Sequence, residues 1–412
     1  MSQSSDAQKI FNQVDAYQQE MINSLMQLIR VPAIGPENGG QGESQKAQTL
    51  IQILEKVGFD KIEQYYADDN RVSSQKRPNI VAYLNGENAA ERLWIVTHLD
   101  VVPSGEEALW KVTAPFEPVL KEGFVFGRGS EDNGQSLVAS IYAAKTLKAS
   151  GKKPKRTLAL AFVSDEEQGS TKGIQHLISK GLFRMDDLVV VPDSGTPKGN
   201  FIEIAEKSIL WFKIITIGKQ AHGSLPEKGL NANRVGMQVA LALDERLHQK
   251  YDAVDDYFSP PISTFEPTRK EKNVDAVNIV PGEDVVYFDC RILPKYDLEE
   301  VLSEMQRVVS EFVAKTKAKI SVEVIQKQAA PSMIDANAKI VGLLKSALKE
   351  ARGVEASVGG VGGGTCAAFF RKAGIPAVVW STIDEVPHSP DEYSKVENLV
   401  ADTKIFALLS LL

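Results

Sequence analysis

The sequence predicts an α/β protein in which a three-layer domain with a mostly parallel sheet carries a smaller, inserted domain. Three observations lead to this prediction. Apolar, β-branched runs alternate with helical segments through the first half of the chain, an order typical of a parallel sheet covered by helices on both faces. From residue 209 the order becomes β-α-β-β-α-β, the split-βαβ or ferredoxin-like arrangement, and after residue 331 the first pattern resumes. The chain also has 412 residues, too many for one ordinary core.

The elements of the larger domain follow from the spacing of apolar residues, which differs between helices and strands. Apolar runs bounded by turn residues predict buried strands, and Gly58 marks the end of a helix. In chain order, the predicted elements are helices over 10–29 and 44–57, strands over 78–84 and 93–98, a helix over 135–150, strands over 157–164 and 188–191, helices over 338–350 and 365–372, and a strand over 377–380.

The inserted domain is expected to begin near Gly199 and to end near Pro331. Residues 199–330 then form the insertion, and residues 1–198 and 331–412 form the two parts of the larger domain. The predicted elements of the insertion are a strand over 209–217, a helix over 231–248, strands over 274–279 and 284–292 on either side of Pro281-Gly282, a helix over 298–314 and a strand over 320–325.

Composition and charge exclude several classes of function. The formal net charge is −7, from 47 basic and 54 acidic side chains, which argues against nucleic acid or an anionic membrane as the main partner. No run is long enough to span a bilayer and no signal peptide is recognisable, so we expect a cytoplasmic protein. The two cysteines, Cys290 and Cys366, lie far apart, which suits a reducing compartment and excludes a cysteine zinc site. Any metal ion must therefore be held by histidine, aspartate and glutamate.

Five clusters of acidic or histidine residues lie where α/β folds bind ligands, at the predicted carboxyl ends of strands. Each cluster alone is weak evidence, because a lone histidine is usually packed and an aspartate beside glycine or serine is usually a cap or turn residue. Together, carboxylates that converge on one sheet edge would repel one another unless a cation lay between them. Two histidines and three carboxylates, one of them shared, suffice for two zinc-like ions. The clusters are His98 with Asp100, Asp132, Glu166 with Glu167, Asp193, and His388.

These positions resemble the dinuclear zinc metallopeptidases and deacylases, the family of aminoacylase, acetylornithine deacetylase, succinyl-diaminopimelate desuccinylase, carboxypeptidase G and carnosinase-type dipeptidases. The five clusters occur in the order of that family, and the predicted insertion falls between the fourth and the fifth. The resemblance implies two zinc ions as cofactors, with cobalt or manganese as alternatives for the same ligands. It also implies that the insertion serves as a lid or dimerisation domain, and that the protein is a homodimer.

The resemblance also assigns a role to each cluster. Asp100 would orient His98, and Glu166 would be the general base that takes a proton from the attacking water. The remaining positions would bind metal in two sets that share one aspartate: His98, Asp132 and Asp193 for the first ion, and Asp132, Glu167 and His388 for the second.

Further positions that resemble the family lie in and after the insertion. His222, in the segment 218–226, would stabilise the oxyanion of the reaction, often from the partner subunit of a dimer. Asn278 and Arg291 would grip the substrate, and an arginine suits a carboxylate. The loop residues that resemble a site for the carboxylate end of the substrate are Gly363, Gly364 and Thr365.

The resemblance leaves several functions open, and two of them are favoured. Many members carry a lysine–glycine pair after the aspartate that corresponds to Asp132, where this chain has Asn133-Gly134-Gln135. An aspartate at the position of Asp193 resembles both the dipeptidases and acetylornithine deacetylase. Arg291 and the loop 363–365 favour a deacylase of an N-acyl amino acid, of the succinyl-diaminopimelate or acetylornithine type. A dipeptidase or aminopeptidase is the close alternative. A hydrolase of a non-peptide amide and a non-catalytic binding module are the other readings, and the intact ligand set argues against the last.

Overall fold

The computed structural model describes residues 2–384 and 386–412, which form two compact units. The larger unit comprises the chain up to Ile204 together with Met333–Val358 and Thr365–Leu412, and the smaller comprises Ala205–Ser332 together with Gly359–Gly364. The boundaries expected near Gly199 and Pro331 lie a few residues ahead of these. Nothing in the sequence pattern assigns the glycine run to the smaller unit.

The helices and strands of both units are numbered together in chain order. The helices are α1 (Ser2–Ala16), α2 (Gln18–Ile29), α3 (Ser44–Val57), α4 (Ser136–Ala149), α5 (Ile174–Ser179), α6 (Ala232–Lys250), α7 (Leu298–Thr316), α8 (Lys339–Arg352), α9 (Ala367–Lys372) and α10 (Val396–Leu411). The strands are β1 (Lys61–Asp68), β2 (Lys76–Leu84), β3 (Asn88–His98), β4 (Val119–Lys121), β5 (Phe124–Phe126), β6 (Arg156–Val163), β7 (Leu188–Thr196), β8 (Phe201–Glu206), β9 (Ser208–Ile217), β10 (Ala221–His222), β11 (Phe258–Ser259), β12 (Thr264–Lys270), β13 (Ile279–Val280), β14 (Glu283–Ile292), β15 (Lys319–Gln328), β16 (Ser357–Val361), β17 (Ala377–Thr382) and β18 (Tyr393–Lys395).

The main sheet of the larger unit has the order β1-β2-β6-β3-β7-β17-β8-β16. Its four central strands, β6, β3, β7 and β17, run parallel, whereas β1, β2 and β8 join antiparallel. The short strand β11 pairs with Gly360 and Val361 at the end of β16, and that pairing lies within the smaller unit. The central parallel strands bring four carboxyl ends to one edge of the sheet.

The strands are apolar on both faces because helices cover both faces. In β3, Ile95 packs in a core with residues of α1, α2, α3, α4, α8 and α10, whereas its neighbour Trp94 packs on the opposite face with α5 and α9. Every residue of β6 is buried. A strand buried on both faces reads as a continuous apolar run, which is why the sequence predicts these strands. The three-layer α/β architecture is confirmed.

The smaller unit contains a four-stranded antiparallel sheet in the order β12-β14-β9-β15, with α6 and α7 packed on one face. In chain order this is β-α-β-β-α-β, so the ferredoxin-like arrangement is confirmed. The strand predicted over 274–279 is wrong, because the second strand of the motif is β12. Pro267 and exposed charged side chains make β12 read poorly as a strand, and both features are typical of its place at a sheet edge.

Other differences also lie at edges and ends. The helix predicted over 10–29 is two helices that meet at Tyr17, and the polar edge strand β1 was not predicted. A small sheet in the order β18-β5-β4 is likewise absent from the prediction, since each strand has three residues. Within the described residues, no helix combines the length and the apolar character needed to cross a membrane.

Candidate metal centre

The predicted metal ligands converge at the edge formed by the carboxyl ends of the central strands. His98 is the last residue of β3, Glu167 follows β6, Asp193 lies in the final part of β7, and His388 follows β17. Asp132 lies in the turn at 130–135 that leads into α4. Parallel strands therefore bring together residues that are up to 290 positions apart.

Asp132 lies between two separate pairs of side chains. Its Oδ1 atom is 2.8 Å from His98 Nε2, which is also 3.2 Å from Asp193 Oδ1. Its Oδ2 atom is 3.1 Å from His388 Nε2, which is also 3.3 Å from Glu167 Oε2. These two groups consist of the same residues as the two ligand sets that the resemblance implies.

The orientation of His98 tests whether these residues suit a cation. Its Nδ1 atom is 2.9 Å from the carbonyl oxygen of Asp100, which can only accept a hydrogen bond. Nδ1 therefore carries the proton, and in the neutral ring the lone pair on Nε2 points at carboxylate oxygens of Asp132 and Asp193. Among the described residues, ligand atoms of His98, Asp132 and Glu167, and likewise of His98, Glu166 and Asp193, lie within 4.8 Å of one another. Imidazole and carboxylate donors at this spacing fit divalent ions.

The same contacts shift the acid–base properties of the histidines. Burial opposes protonation of His98, yet the charge of Asp193 raises its pKa well above the usual value. Hydrogen bonds to Asp132 and Glu167 raise the pKa of His388 to about 10. Without metal, protons on the histidines balance the carboxylates, so metal binding should release protons.

Asp100 holds the turn that carries the two glutamates. Its carboxylate accepts hydrogen bonds from the backbone N–H groups of Glu166 and Glu167, at 3.1 and 3.0 Å. The distance from Asp100 Oδ1 to His98 Nδ1 is 3.6 Å, too long for a hydrogen bond, so it is the Asp100 carbonyl that orients the imidazole. Burial raises the pKa of Glu166 well above its usual value, with the charges of neighbouring carboxylates adding to the effect.

A buried ion pair lies behind this turn, and no sequence motif points to it. Arg77 and Glu43 are both fully buried and form two hydrogen bonds, of which Nε to Oε2 measures 2.6 Å. Glu43 also accepts a hydrogen bond from the N–H of Asp165 at 3.3 Å. Asp165 has a φ of 66°, an uncommon conformation for a residue with a side chain. The ion pair therefore supports the backbone just before Glu166.

The segment after Asp132 has a structural explanation here. Asn133 Nδ2 donates hydrogen bonds of 2.8 Å to Asp193 Oδ1 and to the carbonyl oxygen of Pro192. A Cβ atom at Gly134 would lie 2.4 Å from the carbonyl oxygen of Gly129, so this backbone has no room for a side chain at that position. Asn133 thus orients a predicted metal ligand.

His222 and Asn278 lie side by side in the smaller unit. His222 pairs with Ile279 in the ladder of β10 and β13, and the N–H of Gly223 donates to the carbonyl oxygen of Asn278 at 2.6 Å. The backbone N–H of Ser224 points at His222 Nδ1 at 3.2 Å. Since a backbone N–H can only donate, Nδ1 is the acceptor, and the neutral ring carries its proton on Nε2.

Arg291 is already partly paired within the smaller unit. Its Nε and Nη2 atoms donate to the Asp289 carboxylate at 2.7 and 3.0 Å, and Nη1 donates to the carbonyl oxygen of Gly362 at 3.0 Å. The side chain is 27% exposed. Gly363 and Gly364 are exposed, next to the glycine that Arg291 contacts.

Thr365 is the last residue of the predicted set, and two histidines outside that set remain to be placed. Thr365 belongs to the larger unit, where Oγ1 accepts a hydrogen bond from the N–H of Ala367 at 3.1 Å, at the start of α9. His248 lies in α6 and packs edge-on against Phe265. His176 lies in α5, outside the groups of potential metal ligands.

The fold and this edge of carboxylates and histidines define a metal-dependent hydrolase. Residues 94–411 match the model of Peptidase family M20/M25/M40, and the chain belongs to this family. It is a hydrolase that acts on amide or peptide bonds, and members of the family bind divalent metal ions.

Two relatives show how the chain stands within the family. It is 41% identical to an uncharacterized metallohydrolase of Methanocaldococcus jannaschii over 405 residues, which cover 94% of this chain and 98% of the relative. It is 27% identical to the succinyl-diaminopimelate desuccinylase of Nitratiruptor sp. over 388 residues, which cover 92% of this chain and 96% of that enzyme.

Two solved structures are similar in fold. The dipeptidase Dug1p of Saccharomyces cerevisiae has a TM-score of 0.75 at 20% identity, with 99% of this chain and 98% of that chain covered. Human carnosine dipeptidase 1 has a TM-score of 0.74 at 17% identity, with 98% of each chain covered.

Proposed function

We propose that the chain is a zinc-dependent deacylase that hydrolyses the amide bond of an N-acyl amino acid. The observation that carries the reaction type is Asp132, whose two oxygens face two separate pairs of histidine and carboxylate. The similarity to a desuccinylase along 96% of that enzyme supports the choice of an acylated amino acid as substrate.

The proposed metal ligands divide into two sets. Imidazole and carboxylate ligands suit zinc, and cobalt or manganese are alternatives for the same donors. When bound, the ions would supply Lewis acidity that polarises the substrate carbonyl and makes water a nucleophile near neutral pH. The sets are His98, Asp132 and Asp193 for one ion, and Asp132, Glu167 and His388 for the other.

The proton transfers are proposed for Glu166. Its carboxylate takes a proton from the water that attacks the carbonyl carbon, and gives it to the amine nitrogen as the carbon–nitrogen bond breaks. The products are the free acid and the free amine. Asp100 holds the backbone of this glutamate in place through the hydrogen bond of 3.1 Å.

Residues of the smaller unit are proposed to recognise the substrate. His222 Nε2 carries a proton in the neutral ring, so it suits donation to the oxyanion that develops on the carbonyl oxygen. Arg291 keeps two N–H groups beyond those bonded to Asp289 and Gly362, and these suit a substrate carboxylate. Asn278 and the loop with Gly363, Gly364 and Thr365 are proposed as further substrate contacts.

The smaller unit is also proposed as the dimer interface. Met237 and Leu241 on α6 are 47% and 69% exposed, and with Pro267 on the edge strand β12 they line a groove of about 440 Å³. Exposed apolar side chains beside an unpaired strand edge suit a second copy of the same surface. Sedimentation should give a dimer for the native chain and a monomer for Leu241→Arg, and a native monomer would refute the proposal.

A dipeptidase is the second candidate, and the fold similarity to two dipeptidases favours it. The two functions differ in one chemical requirement. A dipeptidase needs the free α-amine of its substrate, whereas a deacylase cleaves an amide whose acyl group carries no α-amine.

The test is amine release by zinc-loaded protein from a matched pair of substrates, an N-succinyl diamino acid and an unblocked dipeptide. Preference for the acylated substrate is the expected result, and preference for the dipeptide would establish the alternative. Glu166→Gln is the control for both substrates, since it should remove turnover without removing metal. Activity on neither substrate, with both ions bound, would contradict the proposed substrate class.

A further inference from the structure

Two segments of the larger unit carry the proposed ligands that face each other across the centre. The first segment, residues 128–135, carries Asp132, and the second, the loop between β17 and β18, carries His388, 256 residues later. Each segment also carries a buried glutamate that neither ligand set uses. Glu131 is 2% exposed and directly precedes Asp132, and Glu392 is fully buried, four residues after His388.

The Glu392 carboxylate is fully occupied by donors of the first segment. Its Oε2 atom accepts from Arg128 Nη1 at 2.6 Å and from the N–H of Gly129 at 3.1 Å. Its Oε1 atom accepts from the N–H groups of Glu131 and Asp132 at 3.0 and 3.2 Å. These bonds fix the backbone that carries the aspartate shared by both ligand sets.

The Glu131 carboxylate performs the reciprocal function. Its Oε1 atom accepts from the N–H of Asp384 at 2.7 Å, and its Oε2 atom accepts from the N–H of Val386 at 3.0 Å. These donors lie just ahead of His388, whose own φ is 63°. The side chain of His388 is 54% exposed, so packing contributes little to its position. The backbone bonds to Glu131 constrain the loop directly ahead of His388, and contacts of Asp384 and Asp391 hold it at other points.

We propose that Glu131 and Glu392 are positioning residues that form a reciprocal clamp and set the affinities of the two metal ions separately. The proposal rests on the metal centre of the proposed function. Glu392 fixes Asp132, which belongs to both ligand sets. Replacement of Glu392 should therefore lower the affinity for both ions. Glu131 fixes the loop of His388, which belongs to one set. Replacement of Glu131 should therefore lower the affinity for that ion alone.

Glutamine is the informative substitution because it has nearly the same shape as glutamate but only one acceptor oxygen. Whichever way a glutamine at position 392 is turned, its NH₂ group faces two N–H donors of the first segment. At position 131, the NH₂ group faces the N–H of either Asp384 or Val386. Substitution of a residue that hydrogen-bonds to a metal ligand typically lowers the metal affinity by about 10- to 100-fold.

The experiment measures the affinities of both Zn²⁺ ions by competition with a chromogenic chelator, starting from metal-free protein. The variants are Glu131→Gln, Glu392→Gln and Glu131→Asp. Glu304→Gln, at a buried glutamate of the smaller unit, is the matched control. Glu131→Asp keeps the negative charge, but the aspartate side chain is one methylene too short to reach both amides. This variant therefore distinguishes the effect of the carboxylate's position from the effect of its charge.

We expect Glu131→Gln and Glu131→Asp to weaken one ion by about 10- to 100-fold and to leave the other unchanged, and Glu392→Gln to weaken both. Unchanged affinities in the glutamine variants would refute the clamp. Wild-type affinity in Glu131→Asp would show that the charge, and not the position, of the carboxylate matters. If Glu131→Gln lowered the affinity for both ions equally, the proposal that Glu131 serves only one ion would be refuted. If the wild type binds no zinc, it is the proposed function that fails.

Hydrogen exchange in the metal-free wild type tests the clamp without any substitution. The N–H groups of Asp384 and Val386 lie in a loop, yet the hydrogen bonds to Glu131 should protect them from exchange. Exchange at the rate of an unstructured peptide would refute the clamp even if the variants failed to fold.

Discussion

Replacing Arg77 with methionine would leave Glu43 as a buried carboxylate without its cation. Neither side chain is exposed, and the guanidinium donates to both carboxylate oxygens. Hydrogen bonds to charged groups contribute about 1.5–3 kcal/mol each, and removal of one partner of a buried pair costs about 3–5 kcal/mol. Arg77 also contacts two other carboxylates, each of which keeps a further donor: Asp69 keeps its hydrogen bonds to Arg71, and Asp165 keeps that from the N–H of Lys172. Most of the loss therefore falls on Glu43.

We therefore expect Arg77→Met to destabilise the larger unit by about 4 kcal/mol, roughly a thousandfold in its opening equilibrium. The assay is amide hydrogen exchange in β6, which is buried throughout and reports the opening of this unit without requiring the whole chain to unfold in one step. Lys155→Met, in the same unit, is the control. Its side chain and that of its partner Glu87 are 56% and 57% exposed, and the loss of such a pair should cost about 0–1 kcal/mol.

A double-mutant cycle tests the cause of the effect. Arg77→Met combined with Glu43→Gln removes both charges, so the double variant should lose much less than the sum of the two single variants. A cost below about 1 kcal/mol for Arg77→Met, or strict additivity in the cycle, would refute the reasoning.

Three further outcomes follow from the structure. Glu166→Gln should retain both zinc ions while lowering kcat by about 10²- to 10⁴-fold, as measured by metal analysis and turnover, and loss of zinc would mean that this glutamate is a ligand. Gly134→Ala should destabilise the larger unit in thermal unfolding, because its Cβ would lie 2.4 Å from the carbonyl oxygen of Gly129, and a neutral effect would contradict that contact. Hydrogen bonds from Lys250 lower the pKa of Glu304 from 4.5 to about 2, so its contribution to stability is present above pH 4.5 and is lost as the pH falls towards 2. The difference in stability between the native chain and Glu304→Gln, followed by hydrogen exchange in α7, should shrink over that range, and a constant difference would contradict the pKa.

The sequence could predict where the candidate ligands lie in the fold, because the ends of buried strands can be located in it. His98 and Glu167 follow strands that are buried on both faces, and such strands read as apolar runs whose last residue is plain. The parallel order then places those ends at one edge.

The supporting residues could not be predicted in the same way. Glu43 and Arg77 are 34 positions apart, and Glu131 and Glu392 bind backbone N–H groups about 255 positions away. A side chain that binds a distant backbone amide leaves no periodic signal at either position. The edge strand β12 escaped prediction for a related reason, since its exposed face needs no apolar residues.

The position of β17 in the main sheet has a consequence for synthesis of the chain. This strand lies between β7 and β8, but about 180 residues separate the end of β7 from its first residue. A ribosome that adds about 5–20 residues per second needs roughly 10–35 s to cover that distance. During this interval the nascent larger unit presents β7 as an open strand edge, a surface on which other chains can pair. The edge is covered only when the segment with β17 and His388 has left the ribosome. Pairing of β7 and completion of the proposed ligand set therefore occur at the same stage of synthesis.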